Sequence, residues 1–225
     1  TKNDTVTLTN PPQLAVNANV TSNYNGFNVS CFGSTNGSAL ASASGGIPTY
    51  SYSWNNSINT AANNNIAAGT YTVTVTDQNN CTATANVTLT QPTQIAVSSI
   101  NQNVSCFGGN NGSIDATING GVIPYTYLWS NSATTQDING LTAGSYNLTV
   151  TDLNGCSLPY TATITQPNAP INLTESHSNI SCFGLSDGSI NLNVSGGTAP
   201  YTYIWSSGQT TQDIFSLPAG NYSVQ

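Results

Sequence analysis

One pattern of cysteine and tryptophan, which occurs three times at a fixed spacing, constrains the fold of this chain most. The copies open at Cys31, Cys106 and Cys182, and a tryptophan follows each cysteine by 23 positions, at Trp54, Trp129 and Trp205. A second cysteine follows the tryptophan by 27 positions in two copies, at Cys81 and Cys156. Such a period indicates tandem folding units of one kind, because each copy repeats the same core-forming residues. A feature present in every copy is more often scaffold than catalytic centre.

The same period divides the 225 residues into units. We predict repeat 1 at 13–92, repeat 2 at 93–167 and repeat 3 at 168–225, which ends before its second cysteine. Residues 1–12 are interpreted as the terminal strand of a preceding repeat, because Val6-Thr-Leu-Thr-Asn-Pro11 matches Val87-Thr-Leu-Thr-Gln-Pro92. The chain is therefore interpreted as a fragment of a longer protein.

Hydrophobic residues alternate with polar ones along short segments of every copy, which is typical of half-buried β-strands. Ser113-Ile-Asp-Ala-Thr-Ile118 shows this period of two, and Tyr125, Tyr127 and Trp129 fall on one face of the strand that follows. Turn residues at the segment ends, as in Asp152-Leu-Asn-Gly155, indicate hairpins. No segment has a helical period. The sequence therefore predicts an all-β fold of tandem antiparallel β-sandwiches, with about seven strands each and no significant helix.

The composition excludes several kinds of partner. Charged residues make up 4% of the chain, a single Lys or Arg stands against eight acids, and the formal net charge is −7. Such a surface has no electrostatic attraction for phosphate, so we expect neither nucleic acid nor an anionic membrane as a partner. No apolar run approaches the ~18 residues of a membrane span, which argues against membrane insertion. Disorder is excluded as well, because 37% of the residues are hydrophobic and lie in strand-like runs.

Four segments carry a resemblance to a known family. They are Cys-Phe-Gly-x-x-(Asn/Asp)-Gly-Ser, Gly-Gly-x-x-Pro-Tyr-x-Tyr-x-Trp, Ala-Gly-x-Tyr and Val-Thr-Asp-x-Asn-(Gly/Asn)-Cys. In this combination they resemble the SprB repeat, named for the gliding-motility adhesin of Bacteroidetes, over nearly the whole chain. The segments around Tyr-x-Trp and Ala-Gly-x-Tyr are also similar to PKD-type immunoglobulin-like domains. The resemblance implies a very long cell-surface adhesin, exported by the type IX secretion system, that acts as a filament gripping the substratum.

The cysteine spacing leaves two disulfide schemes open. Pairing within copies, Cys31–Cys81 and Cys106–Cys156, closes equal loops of about 50 residues and stabilises each unit by about 4 kcal/mol in the chain-entropy model. This scheme is preferred because a unit of about 75 residues is only marginally stable without a disulfide. It leaves Cys182 with a partner outside the chain. The rival scheme joins neighbouring copies through Cys81–Cys106 and Cys156–Cys182.

Most aromatic residues recur in register and are predicted to form the core, because aromatics of one parity on a strand fill a sandwich. The set contains Trp54, Trp129, Trp205, Tyr71, Tyr146 and Tyr222, together with Phe32, Phe107 and Phe183. The tyrosines of its Ala-Gly-x-Tyr segments, Tyr71, Tyr146 and Tyr222, resemble the tyrosine corner, in which the hydroxyl bonds to a nearby backbone carbonyl. Four aromatics do not recur and are the candidates for contact with a sugar or a neighbouring domain: Tyr24, Phe27, Tyr160 and Phe215.

No catalytic or cofactor-binding residue is predicted. The chain has no phosphate-binding glycine motif and no recurring pair of acids on one strand face. Zinc is excluded because Cys-x-x-Cys spacing is lacking and His177, interpreted as a solvated side chain, is the one histidine. Asp77 and Asp152 are predicted to cap turns. A weak structural calcium site at such acids is the one cofactor considered.

We therefore predict a structural and adhesive repeat segment of a large secreted cell-surface adhesin or filament, without enzymatic activity and with an extracellular location. Its predicted partners are neighbouring repeats, a surface polysaccharide or the substratum, and further copies of itself in a fibre. The alternative is a carbohydrate-binding accessory array of a secreted hydrolase. Glycan binding that is lost when Tyr24, Phe27 or Tyr160 is changed would favour that alternative.

Overall fold

The computed structural model describes residues 3–225. Within that range every regular element is a β-strand, and each strand pair with a defined register is antiparallel. None of the described segments is a helix with the length and apolar character needed to cross a membrane. The expected fold class is confirmed: the chain is all-β and built of tandem immunoglobulin-like sandwiches.

The first copy is a sandwich of two three-stranded sheets. Its strands are β1 (Ala15–Val20), β2 (Gly37–Ser44), β3 (Ser51–Trp54), β4 (Ala62–Ile66), β5 (Gly69–Thr76) and β6 (Thr82–Leu89). One sheet has the order β1-β2-β4 and the other has the order β3-β5-β6. Six strands stand where about seven were expected from immunoglobulin-like topology. The segment between β1 and β2, which contains Cys31, forms turns and irregular backbone instead of a further strand.

The second copy repeats this arrangement, and the third repeats part of it. The strands of the second copy are β7 (Ala96–Gln102), β8 (Gly112–Asn119), β9 (Thr126–Trp129), β10 (Ile138–Leu141), β11 (Gly144–Thr151) and β12 (Ser157–Ile164). They form sheets of order β10-β8-β7 and β12-β11-β9. The third copy contributes one sheet of order β13-β14-β15, made of β13 (Asn172–Ser178), β14 (Gly188–Ser195) and β15 (Ile214–Leu217). Trp205 and Val224 form an isolated antiparallel bridge there.

The chain packs as two compact units. The first contains the described part of 1–98 together with 117–128 and 149–160, and the second contains 99–116, 129–148 and 161–225. The strands of the second copy are thus shared between the two units. The repeat boundaries 13–92, 93–167 and 168–225 stay a prediction.

Strand alternation builds the core of the first copy. Val73 and Val75 on β5 are fully buried, and the threonines between and beside them are half-buried. Trp54 on β3 lies opposite Val73 and is 2% exposed, and its indole nitrogen donates to the carbonyl of Thr60 at 2.9 Å. Burial of each such side chain contributes about 1.5–3 kcal/mol. The equivalent Trp129 and Trp205 are 2% and 4% exposed.

The tyrosine of the Ala-Gly-x-Tyr segment in each copy bonds a loop to the sandwich. Tyr71 donates its hydroxyl hydrogen to the carbonyl of Ala67 at 3.1 Å. Tyr146 and Tyr222 make the equivalent bonds to the carbonyls four residues upstream, at 3.0 Å and 2.9 Å. All three side chains are half-buried. They have the geometry of tyrosine corners, at the edge of the core rather than inside it.

A glycine after β2 allows a very close backbone approach. Gly45 has a φ of +71°, and a Cβ placed on it would lie 2.0 Å from the carbonyl oxygen of Gln13. Tyr50 donates its hydroxyl hydrogen to the carbonyl of Gly45 at 2.6 Å. The equivalent Gly120 approaches the Gln94 carbonyl in the same way. Only glycine fits here, since both the positive φ and the missing Cβ are required.

Residues 3–12, expected to form a terminal strand, have irregular backbone. The side chains of Val6 and Leu8 are 82% and 93% exposed. A strand needs a neighbour for its backbone groups, and none of the described strands pairs with this segment. Pro12 anchors its end, because its carbonyl accepts a hydrogen bond from the Gly46 N–H at 2.7 Å. Residues 1–2, which belong to the same prediction, lie outside the described residues.

Candidate functional site

A disulfide joins Cys31 to Cys156 and thereby links the first copy to the second. The two residues are 125 positions apart in the sequence, and their Cα atoms are 5.7 Å apart. This pairing corrects both predicted schemes, since Cys81, Cys106 and Cys182 are free and exposed. Sulfurs bond where the fold brings two Cα atoms within about 7 Å, and equal loop lengths do not ensure that proximity. Here the turn of the second copy that carries Cys156 lies against the loop that carries Cys31.

One buried carboxylate organises the turn that presents Cys156. Asp152 is 5% exposed, and its Oδ1 accepts hydrogen bonds from the N–H groups of Asn154 and Cys156, each at 2.9 Å. Its Oδ2 accepts from the Val122 N–H at 2.9 Å. The Asp152 N–H in turn donates to the Cys156 carbonyl at 2.9 Å. The turn-capping role expected of Asp152 is thus present, and it holds Cys156 in a fixed position.

Side-chain amides hold the loop that presents Cys31. The Oδ1 of Asn36 accepts from the Ser30 N–H at 3.1 Å, and the Nδ2 of Asn36 donates to the Ser30 Oγ at 2.8 Å. The Oε1 of Gln91 accepts from the Gly33 N–H at 2.9 Å, which ties the loop to the segment after β6. The loop is therefore ordered without a charged group.

An extra segment of the first copy, Tyr24-Asn-Gly-Phe27, lies at the same junction. Tyr24 and Phe27 are half-buried and pair across a tight turn. The side chain of Asn154 donates to the carbonyls of Ser30 and Tyr24, at 2.9 Å and 3.3 Å, and accepts from the Nδ2 of Asn25 at 2.6 Å. The extra segment thus contacts the turn that carries Cys156. This placement fits the domain-contact role considered for Tyr24 and Phe27 better than the sugar-binding role.

A shallow cleft of about 240 Å³ opens beside the disulfide. Apolar side chains of Phe32, Ile95 and Leu158 line it, together with Asp152. Phe32 is 53% exposed, which corrects its predicted place in the core, and the equivalent Phe107 and Phe183 are 46% and 105% exposed. The reason is that each follows a cysteine in an irregular loop, where strand parity does not apply.

The chemistry that the junction shows is a covalent link between two cysteines. Both oxygens of Asp152 already accept backbone hydrogen bonds. No group of three or more His, Cys, Asp or Glu side chains that could hold a metal occurs among residues 3–225. The three free cysteines, Cys81, Cys106 and Cys182, are exposed.

Cys81 is presented by the same kind of turn as Cys156. Asp77 is 5% exposed; its Oδ1 accepts from the N–H groups of Asn79 and Cys81, and its Oδ2 accepts from the Ile47 N–H, each at 2.9 Å. The hydrogen bond from Ile47 is the largest cause that holds the pKa of Asp77 below its usual 3.8, against the opposite effect of burial. The turn that holds Cys81 in the first copy therefore has the same hydrogen bonds as the turn that holds Cys156 in the second copy.

Cys106 and Cys182 are presented by loops that repeat the loop of Cys31. In the second copy, the Oδ1 of Asn111 accepts from the Ser105 N–H at 3.1 Å. In the third, Asp187 takes the place of the asparagine and accepts from the N–H and the hydroxyl of Ser181, at 3.1 Å and 2.6 Å. The hydroxyl bond is the largest cause of a lowered pKa for Asp187. The three first cysteines thus share one loop geometry.

The two remaining contact candidates do not line the cleft. Tyr160 is half-buried on β12, and Phe215 on β15 is 56% exposed. Their contact role stays a prediction. Sequence reasoning missed Asn25 and Asn154, whose side chains meet across the junction. The only signal was that the inserted segment of the first copy has no counterpart in the other two.

These observations define the chain as a region of tandem immunoglobulin-like β-sandwiches, two of them joined by a disulfide. The SprB repeat family model matches residues 27–59, 98–134 and 174–210, one segment in each copy. The resemblance drawn from the four motifs is confirmed by the match at these three segments.

No curated protein sequence matches the chain. Two solved structures are similar to it in part. One is a structure of Dscam determined to explain its isoform specificity; it is 16% identical, with a TM-score of 0.26, over 57% of this chain and 40% of that chain. The other holds the eight N-terminal Ig domains of Down syndrome cell adhesion molecule (DSCAM) isoform 1.30.30; it is 12% identical, with a TM-score of 0.39, over 86% of this chain and 37% of that chain. This chain thus matches about two fifths of the length of each.

Proposed function

We propose that this chain is a structural and adhesive segment of a large secreted cell-surface adhesin or filament that serves in surface adhesion and gliding motility. The disulfide between Cys31 and Cys156 carries the proposal, because it joins two copies covalently and such bonds persist outside the reducing cytosol. The SprB repeats support it through the role for which the family is named. Export by the type IX secretion system of a Bacteroidetes cell belongs to the same proposal. No catalytic role is assigned.

In the proposed role the disulfide transmits tension directly between Cys31 and Cys156. A force applied between the chain ends passes from Cys31 directly to Cys156, so the backbone between them is not extended while the bond is intact. Those residues include every strand from β2 to β11. The hydrogen bonds that these strands make with one another are therefore protected from the pull, whereas the pairs β1–β2 and β11–β12 still connect the loop to strands outside it. A segment of this kind suits a filament that is pulled against a surface.

The same link extends along the array in this proposal. Cys106 is held in the same kind of loop as Cys31, and Cys81 in the same kind of turn as Cys156. The first cysteine of each copy would accordingly pair with the second cysteine of the next copy. Cys106 and Cys182 would then bond to copies further along an array, and Cys81 to a copy before it. The loops closed by successive disulfides would overlap along the array, so every copy would be joined by a disulfide to each of its neighbours.

Adhesion itself is proposed to involve the exposed surface of the copies, with a surface polysaccharide or the substratum as partner. Tyr160 and Phe215 are the candidates that remain for this contact, since Tyr24 and Phe27 lie at the junction. Self-association into a fibre is proposed as well. The low charge of the chain suits contact with neutral glycans, which offer hydroxyl groups and apolar sugar faces rather than charges.

Two measurements test the proposal. Proteolysis without reduction, followed by mass spectrometry, should yield a crosslinked peptide with Cys31 and Cys156; a Cys31–Cys81 crosslink would contradict the tension role. A glycan array is the second measurement, with the Tyr160→Ala and Phe215→Ala variants as comparison. Glycan binding that these variants lose would support the proposed polysaccharide contact, and glycan binding that they keep would contradict the role proposed for Tyr160 and Phe215.

A further inference from the structure

The phenylalanine that follows the first cysteine of each copy is used neither by the core nor by the disulfide. Phe32, Phe107 and Phe183 are 53%, 46% and 105% exposed. Aromatic side chains are mostly buried in folded proteins, because each can remove a large apolar area from water. An aromatic residue that recurs in register but stays outside the core therefore points to a role at the surface.

The loop around Phe32 holds its backbone on both sides. Cys31 before it is bonded to Cys156, and the N–H of Gly33 after it donates to the Oε1 of Gln91 at 2.9 Å. A ring that is presented by a fixed backbone loses less conformational freedom on binding than a ring on a mobile loop. Phe32 is thus suited to contact a ligand at a low cost in conformational entropy.

The side chain of Phe32 lines the shallow cleft beside the disulfide. Ile95 and Asp152, which also line it, are 8% and 5% exposed and belong to the packed part of the structure. Gln94 and Ser157, which line it too, are exposed. The volume of about 240 Å³ lies below the range of about 300–1,000 Å³ that is usual for ligand pockets, so the cleft has room for one ring-sized group. It offers that group an aromatic face together with polar side chains.

Asp152 has capacity for one more hydrogen bond in this cleft. A carboxylate offers about four lone-pair sites, and Asp152 uses three of them for the N–H groups of Val122, Asn154 and Cys156. Its Oδ2 accepts one of these three bonds. A Cβ placed on Gly121 would lie 2.9 Å from the same Oδ2, so the glycine leaves this oxygen accessible on that side. The remaining site suits a donor such as a hydroxyl group.

We propose that this cleft binds one ring of a neutral polysaccharide. The apolar face of the sugar stacks on Phe32, one hydroxyl donates to the Oδ2 of Asp152, and others bond to Gln94 and Ser157. A sugar ring fits because it carries C–H groups on its faces and hydroxyl groups at its edge. The carboxylate repels acidic sugars and phosphate, and the N–H groups bonded to it offset its attraction for cations.

This inference rests on the proposed polysaccharide contact and gives that contact a position in the structure. The loops of Cys106 and Cys182 repeat the loop geometry of Cys31, so each copy presents its own phenylalanine. Weak binding of single rings would be strengthened by simultaneous binding along an array. A polysaccharide held at Phe32 would also pull on the filament directly beside the covalent link between two copies.

The disulfide itself reports on occupation of the cleft. Because Cys31 and Cys156 line it, a bound sugar should slow the reduction of their bond by dithiothreitol. The rate is measured with and without cellohexaose, laminarihexaose or β-mannohexaose, all neutral, in the 225-residue protein with Cys81, Cys106 and Cys182 changed to Ser. Isothermal titration calorimetry gives the Kd. At about ten times the Kd, roughly nine-tenths of the sites are occupied and the rate should fall about tenfold.

Variants of Phe32 test the stacking contact. Phe32→Ala should weaken sugar binding about tenfold or more and remove the protection of the disulfide, because the aromatic face is lost. Phe32→Trp keeps an aromatic face and should retain both. Recovery of the crosslinked Cys31–Cys156 peptide from each variant shows that the junction still forms.

Tyr160→Ala with Phe215→Ala is the matched control and should leave the protection unchanged, because neither residue lines the cleft. Hexagalacturonate, which is anionic, and a glucosamine hexamer, which is cationic, should not slow the reduction. The inference is overturned if none of the neutral hexamers slows it, if Phe32→Ala keeps the protection, or if a charged hexamer protects equally well. Sugar binding that depends on Tyr160 and Phe215 and gives no protection would overturn this inference but leave the proposed polysaccharide contact in place.

Discussion

If the disulfide between Cys31 and Cys156 transmits tension directly, it limits the length to which the chain can be stretched, and a single-molecule experiment can measure that length. The perturbation is removal of the bond, by reduction or by Cys31→Ser with Cys156→Ser. A stretched residue spans about 0.35 nm, so the 125-residue separation corresponds to about 44 nm of chain that the bond keeps out of the extension. The whole chain would reach about 79 nm by the same measure, and the oxidised chain only about 35 nm.

The assay is force spectroscopy with the protein held by its two ends. Oxidised protein should extend to no more than about 35 nm, and added reductant should release the remaining ~44 nm in the same molecules. The Cys81→Ser, Cys106→Ser, Cys182→Ser variant is the control and should behave as the unchanged protein does. Full extension of the oxidised chain, without reductant, would refute the reasoning.

Removing the bond should also lower the free energy of unfolding in solution. In the chain-entropy model a closed loop of this length stabilises the folded state by about 5 kcal/mol. Urea denaturation of the Cys31→Ser, Cys156→Ser variant beside the unchanged protein would measure the loss. The change should appear in the first and second copies, which the bond joins.

Three further predictions concern single residues. Gly45→Ala should cost more than about 3 kcal/mol in urea denaturation, because its Cβ would meet the Gln13 carbonyl, whereas Gly33→Ala, with a similar φ but open space, should cost only about 1–2 kcal/mol. Asp77→Asn should flatten the acid side of the melting-temperature profile between pH 5 and pH 2. Since the folded pKa of Asp77 lies below its unfolded value, its contribution is full above pH 3.8 and is lost as the pH falls through the folded pKa; an unchanged profile would contradict this. Asn154→Ala should destabilise the junction by about 1–2 kcal/mol through its lost hydrogen bonds, and Asn79→Ala, at the same turn position in the first copy, should be nearly neutral in the same denaturation assay.

The fold was predictable because its signals are local. The parity of Tyr52 and Trp54 along one strand, and of Val73 and Val75 along its neighbour, determines which side chains face inwards once a sandwich forms. Turn residues between strands, such as Asp77 and the asparagines after it, predict a turn because their side chains can cap nearby backbone groups. Such information is contained within a few residues and needs no knowledge of distant packing.

The disulfide was not predictable for the opposite reason. Its geometry depends on how the turn at Asp152 in one copy meets the loop of Cys31 in another, and strand parity carries no information on that placement. Equal spacing favoured Cys31 with Cys81, yet loop length says nothing about whether two Cα atoms come close. The exposure of Phe32 has the same origin, since its recurrence reflects a shared loop rather than a shared core position.

The junction relies on amides, one carboxylate bonded only to backbone N–H groups, and a covalent bond. Interactions between opposite charges at a surface weaken as salt rises, because the Debye length falls from about 30 Å at 0.01 M to about 8 Å at 0.15 M. The contacts of Asn154 with Asn25 and Ser30 contain no such pair. The link between the copies should therefore keep the same strength in fresh water and in sea water.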